Sequence, residues 1–187
     1  VKVKVDNPLF WSRRLSLVER EDWRFLAVWN TSMQVWYETL AIHKEVIESV
    51  IPEGTACKLL DAGCGQGHLV DALKDRPQVL YSGVDISPDF ISLAQQNYPK
   101  HIFQVGDLRK LDYPNRHFDY VIGRSVEGMV CEGLGHAVWK TMEDELLRVS
   151  KQVILLNYTH PKLYKVLGVR SLEDTVDPAY YERGDSP

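Results

Sequence analysis

The residues with the most chemistry to offer are an acid and three glycines at alternate positions, in the order Asp61-Ala62-Gly63-Cys64-Gly65-Gln66-Gly67-His68. Glycine at that spacing lets a backbone turn sharply and lets a ligand approach it closely. A short apolar run over 58–62 leads in and reads as a buried strand. Leu69, Val70, Ala72 and Leu73 follow with a helix-like apolar face. Strand, glycine turn and helix are the local plan of a nucleotide-binding βαβ unit, in which the first N–H groups of the helix point at the turn. The spacing is G-x-G-x-G, one residue shorter than the dinucleotide fingerprint, and His68 stands where that fingerprint wants its last glycine. A second acid, Asp85, closes the apolar run 79–84 about twenty residues further on, the distance at which a carboxylate receives ribose hydroxyls. Read otherwise, Asp85 caps the helix that follows it.

This arrangement resembles motif I of the class I S-adenosylmethionine-dependent methyltransferases. Gly83-Val84-Asp85-Ile86-Ser87 and Phe118-Asp119-Tyr120-Val121-Ile122-Gly123 extend the resemblance, which runs from about residue 33 to residue 160. It implies S-adenosyl-L-methionine as cofactor. That molecule has no pyrophosphate but carries a sulfonium, an ammonium and a carboxylate, so an acid beside the turn is welcome. The resemblance implies cofactor contacts at Asp61, Gly63, Gly65, Gly67, Asp85, Ile86 and Arg124. It implies that Asp107 receives the adenine amino group while Leu108 presents its backbone N–H to the ring; the bland reading of Asp107 is a turn aspartate.

The residues just past the fourth strand, Arg124, Ser125, Val126 and Glu127, then face the transferred methyl. Arg124 either binds an acidic substrate group bidentately or pairs with a structural carboxylate. Amino-DNA methyltransferases carry a D/N-P-P-aromatic stretch at this point, whereas this chain has Gly123-Arg124-Ser125-Val126. Arg124, His160 and Tyr37 are the catalytic candidates, with His43 and His136 as further bases. A base is required only where the acceptor is an unactivated hydroxyl or a protonated amine. The implied function is methyl transfer to oxygen or nitrogen of a small organic acceptor. The alternatives are an S-adenosylmethionine-binding protein that is non-catalytic or needs a partner, a protein or RNA methyltransferase, and a nicotinamide-dependent oxidoreductase. The early third glycine speaks against the last.

The elements that must position these groups follow from the pattern. The expected fold is a three-layer α/β/α sandwich, Rossmann-like, around a mainly parallel sheet of order 3-2-1-4-5, with the C-terminal strands short or missing. Strands are expected at 57–62, 79–84, 101–105, 118–123 and 152–158. Thr31 or Ser32 caps a helix over 33–50 that Ile51-Pro52-Glu53-Gly54 stops. Trp29, Trp36 and Tyr37 either pack that helix on the sheet or reach over the cofactor as a lid. Further helices are expected at 89–98 and at 136–149, the latter with Val138, Met142, Leu146 and Val149 inward. Residues 111–117 read as a loop, and 128–135 as a mobile one. The chain divides into an N-terminal helical or loop extension (1–30), a cofactor-binding domain (31–160) and a C-terminal tail or remnant of the last strands (161–187).

Composition sets the bounds. The 187 residues allow one domain with a full core, and 44% hydrophobic with 26% charged residues is ordinary for a globular chain. A net charge of −4 argues against a nucleic-acid surface built on bulk charge. No apolar run reaches the ~20 residues that cross a bilayer. Three cysteines without a C-x-x-C pair fit a reducing, cytoplasmic setting and no metal site, and Cys64 reads as a small turn residue. A small-molecule acceptor is the expected partner.

Overall fold

The computed structural model describes residues 7–16, 33–157 and 164–168. Strand β1 (Cys57–Ala62) is buried at every position but Lys58, as a strand covered on both faces must be. Around it run β2 (Val79–Asp85), β3 (Ile102–Val105), β4 (Phe118–Arg124), β5 (Ser150–Leu156) and β6 (Tyr164–Leu167). Among the described residues these form one sheet of order β3-β2-β1-β4-β5-β6. The first five are parallel, and β6 pairs antiparallel with β5, Leu156 opposite Tyr164. The expected order holds, and the last strand is present but only four residues long.

Helices cover both faces, because consecutive parallel strands need crossovers. On one face, α2 (Met33–Val50), α3 (Leu69–Ala72) and α4 (Pro88–Asn97) pack a core that includes Leu40, Ile47, Leu59, Tyr81, Ile91, Phe103, Ile122 and Ile154. α1 (Pro8–Ser16) leans on α4 through Trp11 and Phe90, ring centroids 5.8 Å apart. On the other face, α5 (Val126–Gly133) and α6 (His136–Val149) pack with Leu60, Val121, Val153 and Leu155. The buried side of α2 reads Leu40, His43, Ile47, so an imidazole sits where the stripe calls for another aliphatic side chain. Among the described residues no helix is long and apolar enough to cross a membrane.

Three local expectations change. The stretch 128–135 is not a loop: Val126–Gly133 is α5. Its glycines weaken the helix signal, but Val126 and Val130, one turn apart, seat in the second core and hold it. The helix after the glycine turn shrinks to Leu69–Ala72. In α6 the large buried residue is Trp139, with Val138 only partly buried beside it.

No helix joins β3 to β4; residues 106–117 make the crossover, pinned by α6. Leu111 N donates to Glu145 Oε1 at 2.7 Å. Arg148, which also pairs with Glu145, donates to the carbonyls of Leu111 and Tyr113 and to Asn115 Oδ1, each at 2.9 Å.

The core makes one expectation measurable. Ile154→Ala should destabilise the protein by about 2–5 kcal/mol, as a fully buried aliphatic truncation does. Leu80→Ala, at a side chain 63% exposed on the sheet's outer face, should stay within about 0.5 kcal/mol. Chemical denaturation of the two variants reads the contrast.

Candidate functional site

The turns after β1, β2 and β4 all leave the same edge of the sheet, where open α/β folds bind ligands. After β1 the chain reverses at once: Gly63 N and Cys64 N both donate to Val84 O, at 2.8 and 3.0 Å. Gly63, Gly65 and Gly67 all adopt left-handed φ, at 74°, 52° and 84°. What surrounds them differs. A Cβ on Gly63 would lie 2.6 Å from Val126 Cγ2, and one on Gly67 would lie 2.9 Å from the Phe103 ring. A Cβ on Gly65 would meet nothing within 4 Å. Two of these glycines therefore serve the protein's own packing, and Gly65 presents bare backbone to open space.

Asp85 ties the turn to the end of β2. Its Oδ2 accepts from Gly65 N and its Oδ1 from Ser87 N, both at 2.9 Å. Burial pushes its carboxyl up, and the N–H groups of Ser87, Gly65 and Ile86 pull the other way. Three backbone donors thus share the carboxylate's roughly four lone-pair sites, and one site is left for a further donor. Ser87 caps α4, accepting from Phe90 N, with Pro88 at the first helical position.

Asp61 is the second buried carboxylate of this edge. Tyr81 donates its hydroxyl to Asp61 Oδ2 at 2.8 Å. Burial raises the Asp61 carboxyl from 3.8 to about 6, against the pull of Arg124 and the Tyr81 hydroxyl, and the Asp85 charge adds to the rise. Arg124 ends β4 on the same sheet face and acts on Asp61 through space. Ser125 follows it with φ 62°, a left-handed conformation unusual for a non-glycine residue, and its N–H donates to Leu156 O at 2.8 Å.

Above Arg124 lies His43, fully buried from α2. Its Nε2 is 3.2 Å from Asn157 O, and since a carbonyl only accepts, Nε2 carries the hydrogen. Burial, and then the Arg124 guanidinium, lower its pKa to about 4. The ring is thus neutral at physiological pH, and Nδ1 is a buried acceptor with no hydrogen-bond donor on it.

The other expected residues scatter. Asp107 is engaged by the Arg109 side chain through both oxygens, and Leu108 is buried in the second core. Ile86 lies beside Asp85, toward which its N–H points. Tyr37 stands half-exposed on α2 and His136 is exposed at the start of α6. Glu127 pairs with Lys165 at 2.6 Å, fastening α5 to β6. Cys64 is buried and its thiol is pushed up by burial and by Asp61 and Asp85, as suits a turn residue and not a nucleophile. His160, Trp29, Thr31, Ser32 and the side chain of Trp36 lie outside the described residues. Sequence reasoning missed the Tyr81–Asp61 pair and the meeting of His43 with Arg124. The one signal for the second was a histidine in the apolar stripe of α2.

Comparison with known proteins agrees with this fold. Residues 59–152 match the family model of a methyltransferase domain. A release factor glutamine methyltransferase of Koribacter versatilis (strain Ellin345) is 30% identical over 93 residues, 47% of this chain and 33% of that protein. A magnesium-protoporphyrin O-methyltransferase of Rhodobacter capsulatus is 35% identical over 85 residues, 42% of this chain and 37% of that protein. The matches span about a third of the length of these curated relatives. A crystal structure of a protein from Pyrococcus horikoshii OT3 superposes with a TM-score of 0.57 at 25% identity, covering 68% of this chain and 59% of that one.

The raised Asp61 carboxyl sets a pH dependence. Below 3.8 the group is protonated in both folded and unfolded chains and contributes nothing. Between 3.8 and about 6 the unfolded chain ionises first, so stability falls as pH rises, and above that the full penalty remains. Asp61→Asn should therefore stabilise the ligand-free protein by about 1–3 kcal/mol at pH 8, with the gain vanishing near pH 4. Urea melts at the two pH values measure it, and a variant less stable than the parent at pH 8 would contradict the assignment.

Proposed function

This chain belongs to the class I S-adenosylmethionine-dependent methyltransferases, and we propose that it transfers a methyl group to oxygen or nitrogen of a small organic acceptor. The observation that carries the cofactor half is the convergence of Gly65, Asp85 and Asp61 at one sheet edge. Gly65 admits close approach to its backbone. Asp85, beyond its three backbone donors, has a lone-pair site left for a ribose hydroxyl. Asp61, ionised above about pH 6, suits the cationic end of the molecule. Gly63 and Gly67 shape the turn, Ile86 orients Asp85, and Asp107 with the Leu108 N–H takes the adenine, Asp107 sharing its carboxylate with Arg109. The residues present thus fit S-adenosyl-L-methionine, which when bound supplies a methyl carbon made electrophilic by its sulfonium.

The chain's own part is to hold the acceptor in line and keep water out. Arg124 is the cation at the end of β4 and the polar contact for an acceptor's anionic group. His43, neutral and with Nδ1 bare, is the acceptor for a hydroxyl or amine proton supported by position, since it lies beside Arg124 at the ends of β4 and β5. Tyr37 and His160 remain assigned to the acceptor side, the first by its half-exposed phenol on α2. The small-molecule reading is supported by the net charge of −4 and by the porphyrin-directed relative; the release-factor-directed relative makes a protein acceptor the reading to test against it.

Transfer from methyl-labelled cofactor should be assayed against small carboxylic, phenolic and amine acceptors, with protein and RNA as parallel arms. Turnover of a small acceptor is the expected result. Label on protein or RNA alone would overturn the acceptor class, and cofactor binding without transfer to any arm would favour a non-catalytic binder.

Two variants separate turn packing from ligand approach. Gly63→Ala should cost about 1–3 kcal/mol of stability, because Val126 must move. Gly65→Val should abolish calorimetric binding of S-adenosylhomocysteine both by filling the open side and by straining φ 52°, and Gly65→Ala, with the same φ but little bulk, should lose less. Asp85→Ala should weaken the same binding by about 1.5–3 kcal/mol.

A further inference from the structure

Tyr81 reaches from β2 to β1 inside the protein. In the parallel register Leu59 stands opposite Tyr81, and Asp61 stands opposite Gly83. Tyr81 and Asp61 are therefore diagonal neighbours on the face that α2 covers, a span a long aromatic side chain can bridge. Gly83 puts no side chain between them; a Cβ there would lie 2.8 Å from Phe103 Cδ1 and 2.9 Å from Cys64 Sγ. The Tyr81 ring is buried and held by edge contacts to His101 and Phe103, centroids 5.4 and 5.7 Å away. A ring fixed in that way has one direction in which to offer its hydroxyl, and that direction ends on Asp61 Oδ2 at 2.8 Å.

The groups facing Asp61 come from four elements. β2 contributes Tyr81 and Asp85, the glycine turn contributes Cys64, and β4 contributes Arg124. α2 contributes His43, which meets the cluster through Arg124 and is itself neutral. Burial and Asp85 disfavour the charge on Asp61, while Arg124 and Tyr81 favour it. Arg124 acts through its charge. Tyr81 is a donor that both directs the carboxylate and stabilises its ionised form.

We propose that Tyr81 is the positioning residue of the cofactor site: its hydroxyl holds Asp61 ionised and correctly turned for the cationic end of S-adenosyl-L-methionine. The proposal rests on the cofactor reading given above and adds a residue two strand positions before the glycine that faces Asp61. Tyr81 touches neither the cofactor nor the acceptor in this role; it acts through Asp61.

The test is the affinity for S-adenosylhomocysteine, measured by calorimetry from pH 5 to pH 8.5. In the unaltered protein affinity should fall as pH drops through about 6, where Asp61 takes a proton. Asp61→Asn should bind weakly throughout and lack that acid limb. Tyr81→Phe should move the limb up by about one pH unit, which makes binding about threefold weaker near pH 6.5 and close to tenfold weaker at pH 5, while the difference vanishes by pH 8.5. A Tyr81→Phe protein whose melting temperature drops but whose limb stays in place would overturn the proposal, because a packing role alone moves stability and not the midpoint. Should Tyr81→Phe fail to fold, Tyr81→Met removes the hydroxyl with a side chain that adapts to the gap, and the same shift is expected of it. An unaltered protein that binds at every pH without an acid limb would overturn the role of Asp61 and Tyr81 and leave the cofactor reading standing. Failure of the unaltered protein to bind at any pH would overturn both.

Discussion

Two carboxylates, Asp61 and Asp85, are buried at the ends of adjacent parallel strands, and the edge of the sheet is arranged around keeping both charged. Removing an ionised group from water costs several kcal/mol unless donors replace the lost solvent. Asp85 finds its donors in backbone N–H groups of the two turns beside it, so satisfying its charge also fixes the glycine turn against the start of α4. Asp61 finds one in a phenol from the neighbouring strand, with a guanidinium nearby on the other side. The two solutions differ in kind. Asp85 is stabilised by chain path and Asp61 by side chains, which makes Asp61 the more easily perturbed of the pair.

The glycine turn divides its labour. Gly63 and Gly67 keep clear the space that Val126 and Phe103 occupy, and Gly65, with open space beside it, is favoured by its left-handed φ of 52°. Val126 begins α5, and α5 begins where Ser125 turns left-handed after Arg124. The turn after β1 and the start of α5 are therefore packed close together, with the Val126 methyl in the space a Gly63 side chain would need. That contact relates the groups proposed to hold the cofactor to those proposed to face the acceptor.

The crossover from β3 to β4 shows the same economy of means. Without a helix it would leave backbone groups exposed and Leu111 and Phe118 uncovered. Glu145 and Arg148, one turn apart on α6, respectively accept from and donate to that backbone and bring it onto the second core. The outer face of β2 and β3 stays open as a result, with Leu80 and Ile102 largely exposed.

Much of this was legible in the residues. Apolar runs ending in Asp61 and Asp85, the glycine spacing between them and the Ser87-Pro88 cap are local signals, and the strands, the turn and α4 appear where those signals lie. The helix at Met33–Val50 and the sheet order also follow the pattern. α5 did not, because its glycines hide a helix that only its seat in the core stabilises. The partners of the site were not legible either. Tyr81 reads as one more apolar strand residue and His43 as one more position of a stripe. Periodicity says which face a residue takes but not which residue of another element stands opposite. Strand order, register and the packing of α2 bring positions 43, 61, 81, 124 and 157 together, and burial then sets the charge of the two that lose solvent most: Asp61 raised to about 6, His43 lowered to about 4. The sequence by itself determined the turn, the strands and the acids that end them, because those depend on neighbours along the chain. The tertiary structure alone decided which donors those acids receive and which protons they keep, because desolvation and through-space charge depend on neighbours in space.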